Sequence, residues 1–213
     1  MPRQVEDFPT ALVFDLGGVL IDWNPRHLYR QLLGDDTEME RFLAEVCTPE
    51  WNRAQDAGRR WADGVAVLTS QFPESRDLIE AYDRRWDEMV RGEVPGVVPI
   101  LDELRASDVR LLALTNWSTE KFVRTKPRFP FLDWFEGIVV SGEIGLVKPD
   151  PMVYRYCVSL FGLEPSTTVF IDDSEQNVAA AVSEGLIGVR FIDAPSLRRD
   201  LRALGVRMGA PAG

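Results

Sequence analysis

Seven residues at four places in the chain have the types needed to handle a phosphate group together. Asp15 stands in FDLGGVL, Thr115 and Asn116 in LALTN, Lys148 in GLVKPD, and Asp172 and Asp173 in VFIDDSEQN; Ser141 opens the stretch that leads to Lys148. Carboxylates together with a backbone carbonyl make a hard oxygen site that suits Mg²⁺. Such a cation lets an anionic carboxylate approach a phosphate dianion by cancelling charge. Asp15 would then attack phosphorus and form an aspartyl-phosphate. Thr115 and backbone N–H groups would hold the equatorial oxygens, and Lys148 would neutralise charge on both phosphate and Asp15. Gly17 and Gly18 would let the backbone turn sharply and approach the ligand.

These residues can meet only if one scaffold presents them on one rim. Five short apolar runs, 11–14, 109–115, 137–141, 168–171 and 188–192, read as strands of a parallel sheet buried on both faces. Helical patterns at about 118–126, 150–162 and 175–185 separate the last four. Strand alternating with helix predicts an α/β fold, a doubly wound Rossmann-like parallel sheet. Ligands of such sheets bind beyond the carboxyl ends of the strands. Asp15, Thr115, Asn116, Ser141, Asp172 and Asp173 all fall at those ends. Residues 22–95 show no strand pattern, and their segments 25–34, 37–47, 50–71 and 74–91 have helical spacing. Pro25, Pro49 and Pro73 suit helix starts. Some 70 residues exceed a simple connection. The expectation is a core of 1–21 and 96–213 with an inserted all-helical cap, 22–95. Aromatic residues such as Trp51, Trp61, Trp86 and Tyr82 are expected to form the core of that cap. The tail, 205–213, is Gly/Pro-rich and expected to fray.

The order FDLGGVL, LTN, SGEIGLVKPDPMVY, VFIDDSEQNVAAA resembles the four motifs of the haloacid dehalogenase-like hydrolase superfamily, over nearly the whole chain. The resemblance extends to a helical cap following the first strand. It implies Asp15 as nucleophile, Thr115 and Asn116 as phosphate-binding, and Lys148 as the charge-stabilising lysine. It implies Mg²⁺ held by Asp15, the Gly17 carbonyl and Asp173, with Asp172 an outer or shared ligand. Asn177 would orient Asp173 or Lys148, or face solvent. The first motif looks like that of sugar-1-phosphate phosphatase-like members.

One position departs from the pattern. Phosphatases of the family usually carry a second Asp two residues after the nucleophile, where this chain has Gly17. A positioned acid/base is worth about 10²–10⁴ in rate. Three readings follow: a phosphatase of a small phosphorylated metabolite that draws its acid from elsewhere, with Asp22 a candidate; a 2-haloacid dehalogenase-type hydrolase; or a binding or regulatory protein on the same fold. Arg26, Arg53, Arg59 and Arg60 are cap cations available to an anionic substrate.

Composition removes other classes. A net charge of -10 opposes general nucleic-acid binding. The one histidine, His27, leaves no multi-histidine metal site, and no GxSxG elbow is present. Cys47 and Cys157 lack metal spacing and read as reduced thiols. No run approaches the roughly 20 apolar residues that span a bilayer, and the first ten residues hold no apolar signal core. No membrane association and a cytoplasmic location are the expectation. The sequence leaves the oligomeric state open.

Overall fold

The structure, a computed structural model, describes residues 8–209. Five parallel strands form the sheet: β1 (Ala11–Phe14), β4 (Arg110–Thr115), β5 (Gly137–Val140), β6 (Thr168–Asp172) and β7 (Ile187–Arg190), in the order β5-β4-β1-β6-β7. β1 and β6 are buried along their whole length. That burial on both faces is why each reads as an unbroken apolar run rather than an alternating one. Helices α6 (Val97–Arg105), α7 (Thr119–Thr125), α8 (Ser141–Ile144), α9 (Pro151–Phe161), α10 (Glu175–Ser183) and α11 (Ala194–Ala203) complete the core. Two buried apolar clusters form, one containing Val13, Leu112 and Phe170, the other containing Phe14, Leu101 and Val169. The order reverses direction at β1, whose neighbours β4 and β6 both lie later in the chain. That switch point is where such sheets bind ligands.

Between β1 and α6 the chain builds the cap: α1 (Arg26–Leu33), α2 (Asp36–Glu45), α3 (Pro49–Asp56), α4 (Trp61–Gln71) and α5 (Arg76–Arg84). Two features differ from the expectation of helices alone. The cap is tied at its base by an antiparallel pair, β2 (Ile21–Trp23) with β3 (Val90–Glu93). These strands, IDW and VRGE, carry polar and partly exposed residues and so leave no apolar run to read. The segment 50–71 is also two helices rather than one. α3 ends at Asp56, and Gly58 takes φ 98°, a left-handed conformation that an α-helix cannot continue through. The tail is packed as far as it is described: Val206 is buried and the Gly209 N–H donates to the Glu103 carbonyl. Residues 210–213 lie outside the described residues.

The aromatic residues make the core of the cap, as their spacing suggests. Trp61 stacks on Tyr82 at 5.7 Å between ring centroids and meets Trp51 at 5.6 Å and Trp86 at 5.4 Å. It is also the bolt between cap and core. Its indole N–H donates to Ser118 Oγ at 2.7 Å, and its backbone N–H donates to Glu120 Oε1 at 3.1 Å. The Lys121 ammonium lies 4.8 Å from its ring centroid. Trp61→Ala is expected to cost about 3–5 kcal/mol, the range for deleting a buried indole. Urea unfolding followed by circular dichroism measures this, and a loss below about 1 kcal/mol would deny the anchoring role.

Candidate active site

Lys148 is the centre of the site. It is 2% exposed, and its ammonium lies 2.9 Å from Asp15 Oδ1 and 2.7 Å from Asp172 Oδ2. It also donates to the Leu114 carbonyl at 3.0 Å. A buried ammonium survives only if its donors are met and its charge is paired, and here both conditions hold. Burial works against its charge, but Asp15 and Asp172 overcome that and hold its pKa above the ordinary lysine value.

The rest of the arrangement fixes this lysine and its partners. Asn116 staples the lysine segment: its Nδ2 donates to the Lys148 carbonyl at 3.0 Å, and its Oδ1 accepts from the Lys148 N–H at 2.8 Å. The amide expected to meet phosphate is therefore occupied by backbone. Asn177 takes a partner outside its expected roles: its Nδ2 donates to both oxygens of Asp172, at 3.0 and 3.1 Å, and it reaches Lys148 only through that carboxylate. The Ser174 N–H adds a third bond to Asp172 at 2.9 Å. Asp172 is thus fully buried and fully engaged, whereas Asp173 is exposed.

Asp15 is 8% exposed and accepts a hydrogen bond from the Leu16 N–H at 2.7 Å. Burial pushes its carboxyl up to about 7; Lys148 partly offsets this, and Asp172 adds to it. Asp173 is likewise raised: its carboxyl is partly desolvated against the cluster although the residue as a whole is exposed, and Asp172 adds to the shift. Oxygens of Asp15, Asp172 and Asp173 lie within 4.8 Å of one another. Anions crowd this way where a cation compensates them, and an all-oxygen set suits a hard ion. Gly18 supports the same view. It holds φ 76°, and a Cβ there would stand 2.5 Å from Asp173 Oδ2. The bare backbone at position 18 leaves Asp173 the space it occupies. The residues present therefore fit Mg²⁺, with Asp15 and Asp173 the carboxylates available to it.

Thr115 ends β4 beside β1 and is buried. Ser141 does not enter the carboxylate cluster; its hydroxyl donates to the Asp56 carbonyl at 2.6 Å and joins cap to core. Asp22 pairs with His27 at 2.8 Å at the base of the cap, and it is not among the residues lining the main cleft. Of the four cap arginines, Arg26 and Arg53 line the main cleft of about 640 Å³, together with Asn116, Lys148 and Asn177. Arg26 is bound to Glu40, Arg59 donates to Gln55 and Trp51, and Arg60 faces Asp63 on the surface. Cys47 and Cys157 are both free and buried.

One carboxyl in the cleft carried no signal in the sequence. Asp56, the last residue of α3, lines the main cleft and is 6% exposed. It also lines a smaller pocket with Gly17, Asn52 and Asn116, walled by Trp23, Trp86 and Trp117. An acid at a helix end normally reads as a solvated surface residue, so only the packing of the cap against the core distinguishes this one.

A parallel sheet with a helical cap, and a lysine-bridged carboxylate cluster at its switch point, define a hydrolase of the haloacid dehalogenase-like kind. Residues 9–185 match the model of the haloacid dehalogenase-like hydrolase family, and the chain belongs to that family. It is 26% identical over 194 residues to a sesquiterpene phosphatase of Aspergillus oryzae, covering 91% of this chain and 95% of the relative. A HAD-like family hydrolase from Porphyromonas gingivalis superposes with a TM-score of 0.71 at 23% identity, covering 92% of this chain and 98% of the other. A HAD family enzyme from Bacteroides thetaiotaomicron, solved in complex with magnesium and inorganic phosphate, superposes with a TM-score of 0.65 at 24% identity over 87% of this chain and 95% of the other. No helix among the described residues is long and apolar enough to cross a membrane.

Proposed function

We propose that the chain is a Mg²⁺-dependent phosphatase of a small phosphorylated metabolite and works through an aspartyl-phosphate on Asp15. The observation that carries this reading is the buried Lys148 ammonium bridging Asp15 and Asp172, with Asp173 beside them at the sheet's switch point. A lone buried ion pair would suffice for structure. Three carboxylates around one lysine leave negative charge over, and a metal ion and the charge redistribution of phosphoryl transfer account for it.

In this reading Asp15, Asp173 and the Gly17 carbonyl would hold Mg²⁺, which would supply the positive charge that lets a phosphate dianion and an anionic nucleophile approach. Asp172 keeps Lys148 aimed, and Asn177 and the Ser174 N–H keep Asp172 aimed. Lys148 neutralises charge as the phosphoryl group passes to Asp15. Thr115 contributes its hydroxyl to the phosphate oxygens, and Asn116 acts chiefly by fixing the lysine segment. The segment 22–95 closes over the site as the cap and sets specificity.

The similarity to a sesquiterpene phosphatase and to a magnesium- and phosphate-bound enzyme supports the same chemistry. The test is phosphate release from a panel of sugar 1-phosphates, sugar 6-phosphates, acyl phosphates and isoprenoid monophosphates, with Mg²⁺ and with EDTA. Release with Mg²⁺ that stops in EDTA is expected. No release from any member, with 2-haloacids turned over without metal, would overturn it.

A further inference from the structure

The alcohol of a phosphomonoester leaves as an alkoxide unless something protonates it, and the residues held around Lys148 supply no proton. Lys148 is held by two carboxylates and a carbonyl, and Asp172 is saturated by Lys148, Asn177 and Ser174. Gly17, where a side chain would reach the substrate, has none, and the space beside it is open: a Cβ there meets nothing within 4 Å.

The pocket that opens beside Gly17 holds one carboxyl, Asp56. α3 carries it there, and two hydrogen bonds fix it: Asn52 Nδ2 donates to Asp56 Oδ2 at 2.9 Å, and the Asp56 carbonyl accepts from Ser141 Oγ at 2.6 Å. The wall around it is indole. Trp23, Trp86 and Trp117 have buried indole nitrogens without partners, and Asn52 Oδ1 is also unpartnered. Asp56 shares this pocket with Gly17, two residues after Asp15 in the chain.

We propose that Asp56, delivered by the cap, protonates the leaving oxygen and then activates the hydrolytic water. The assignment rests on the phosphatase reading above. In the first step an Asp15 oxygen bonds to phosphorus, the P–O bond to the leaving group breaks, and the Asp56 carboxyl gives its proton to the departing oxygen. The alcohol leaves, with an aspartyl-phosphate on Asp15 and a carboxylate on Asp56. In the second step water attacks phosphorus and loses a proton to Asp56, and the bond from phosphorus to Asp15 breaks. Inorganic phosphate leaves, with Asp15 ionised and Asp56 protonated as at the start. Burial, partly offset by the Ser118 N–H and Arg53, pushes the Asp56 carboxyl up to about 7, which suits a group that gives and takes a proton near neutrality. The charged or titratable neighbours are Arg53 on its own helix and Tyr82 on α5; the β4–α7 segment presents the uncharged Asn116, Trp117 and Ser118.

The experiment measures kcat/KM with Mg²⁺ for an alkyl phosphate and a series of aryl phosphates of increasing leaving-group acidity. Asp56→Asn is expected to lose about 10²–10⁴ on the alkyl phosphate and progressively less as the leaving group becomes more acidic. It is also expected to lose the basic limb of the pH profile. Asp56→Glu should recover part of the loss. Adding Gly17→Asp to Asp56→Asn should recover part as well, because the open space there admits a carboxyl. A loss equal across all leaving groups, or no loss, would overturn the assignment while leaving the phosphatase reading intact. A wild-type protein that releases phosphate from nothing overturns both. If Asp56→Asn does not fold, Asn52→Ala decides the matter. It removes a hydrogen bond to the carboxylate, so the basic limb must move to higher pH, and an unmoved limb overturns the assignment.

Discussion

Asp15→Asn is expected to end Mg²⁺-dependent phosphate release, a fall of about 10⁴–10⁶, while the protein stays folded. The loss is large because the nucleophile takes part in every bond change, and removing such a group costs rate on that scale. The fold should survive for a local reason. An amide oxygen can still accept from the Leu16 N–H, and Lys148 keeps Asp172 and the Leu114 carbonyl as partners. The variant should even gain stability in EDTA. Asp15 in the folded state titrates at about 7, above its ordinary value of 3.8. A raised carboxyl contributes stability that is complete below the unfolded value and lost as pH rises through the folded one. The asparagine does not suffer that loss, which runs at about 1.4 kcal/mol per pH unit. Its advantage should therefore be absent at pH 4 and amount to a few kcal/mol by pH 8. Urea unfolding at the two pH values, beside the phosphate assay, checks both halves. Unchanged turnover would remove Asp15 from the chemistry, and a variant less stable at pH 8 would contradict the electrostatic account.

Lys148→Met should be the most destabilising change in the site. The methionine fills similar volume but removes the one cation between two buried carboxyls, 2.9 and 2.7 Å away. Breaking a buried pair by deleting one partner typically costs about 3–5 kcal/mol, because charge is left uncompensated. The cost must depend on pH. Asp15, already raised to about 7 with the lysine present, is held higher still without it. At pH 5 the proton compensates; as pH rises that refuge closes, so the deficit in EDTA should be larger at pH 8 than at pH 5. An equal deficit at both would mean that the lysine acts through packing alone. Phosphate release should also fall by about 10²–10³, the usual effect of removing one preorganised charge-stabilising donor.

These two variants probe residues that the chain announces, whereas Asp56→Asn probes one that it does not. Asp15, Thr115, Asp172 and Asp173 each end a buried run, and a parallel sheet sends every strand end to the same rim, so contiguous apolar stretches imply the constellation before any contact is known. Lys148 is legible for a related reason: the KPD stretch that follows β5 reaches the same rim. Asn116 has the type and place of a phosphate ligand, and its side-chain amide is taken up by the Lys148 backbone, a pairing 32 positions away that no local pattern signals. Asn177 left its role open because a helix side chain three residues past a cap can turn several ways.

Local order thus decided the five strands and the placing of Asp15, Lys148 and the acidic pair at one rim, because strand burial and strand-end polarity are properties of neighbouring residues. The break between α3 and α4 was decided by a single residue, and the β2–β3 tie by a pairing whose polar, partly exposed residues leave no apolar run. Only the tertiary structure decided how Asp172 is saturated, which cap arginines meet the cleft, and that Asp56 is sealed beside Gly17. The saturation of Asp172 follows from how α10 and the Lys148 segment pack on β6, and the other two facts follow from how the cap docks on the sheet. Docking brings together residues some 40 positions apart, such as Gly17 and Asp56, and it sets burial and charge by proximity in space, which no stretch of the chain records.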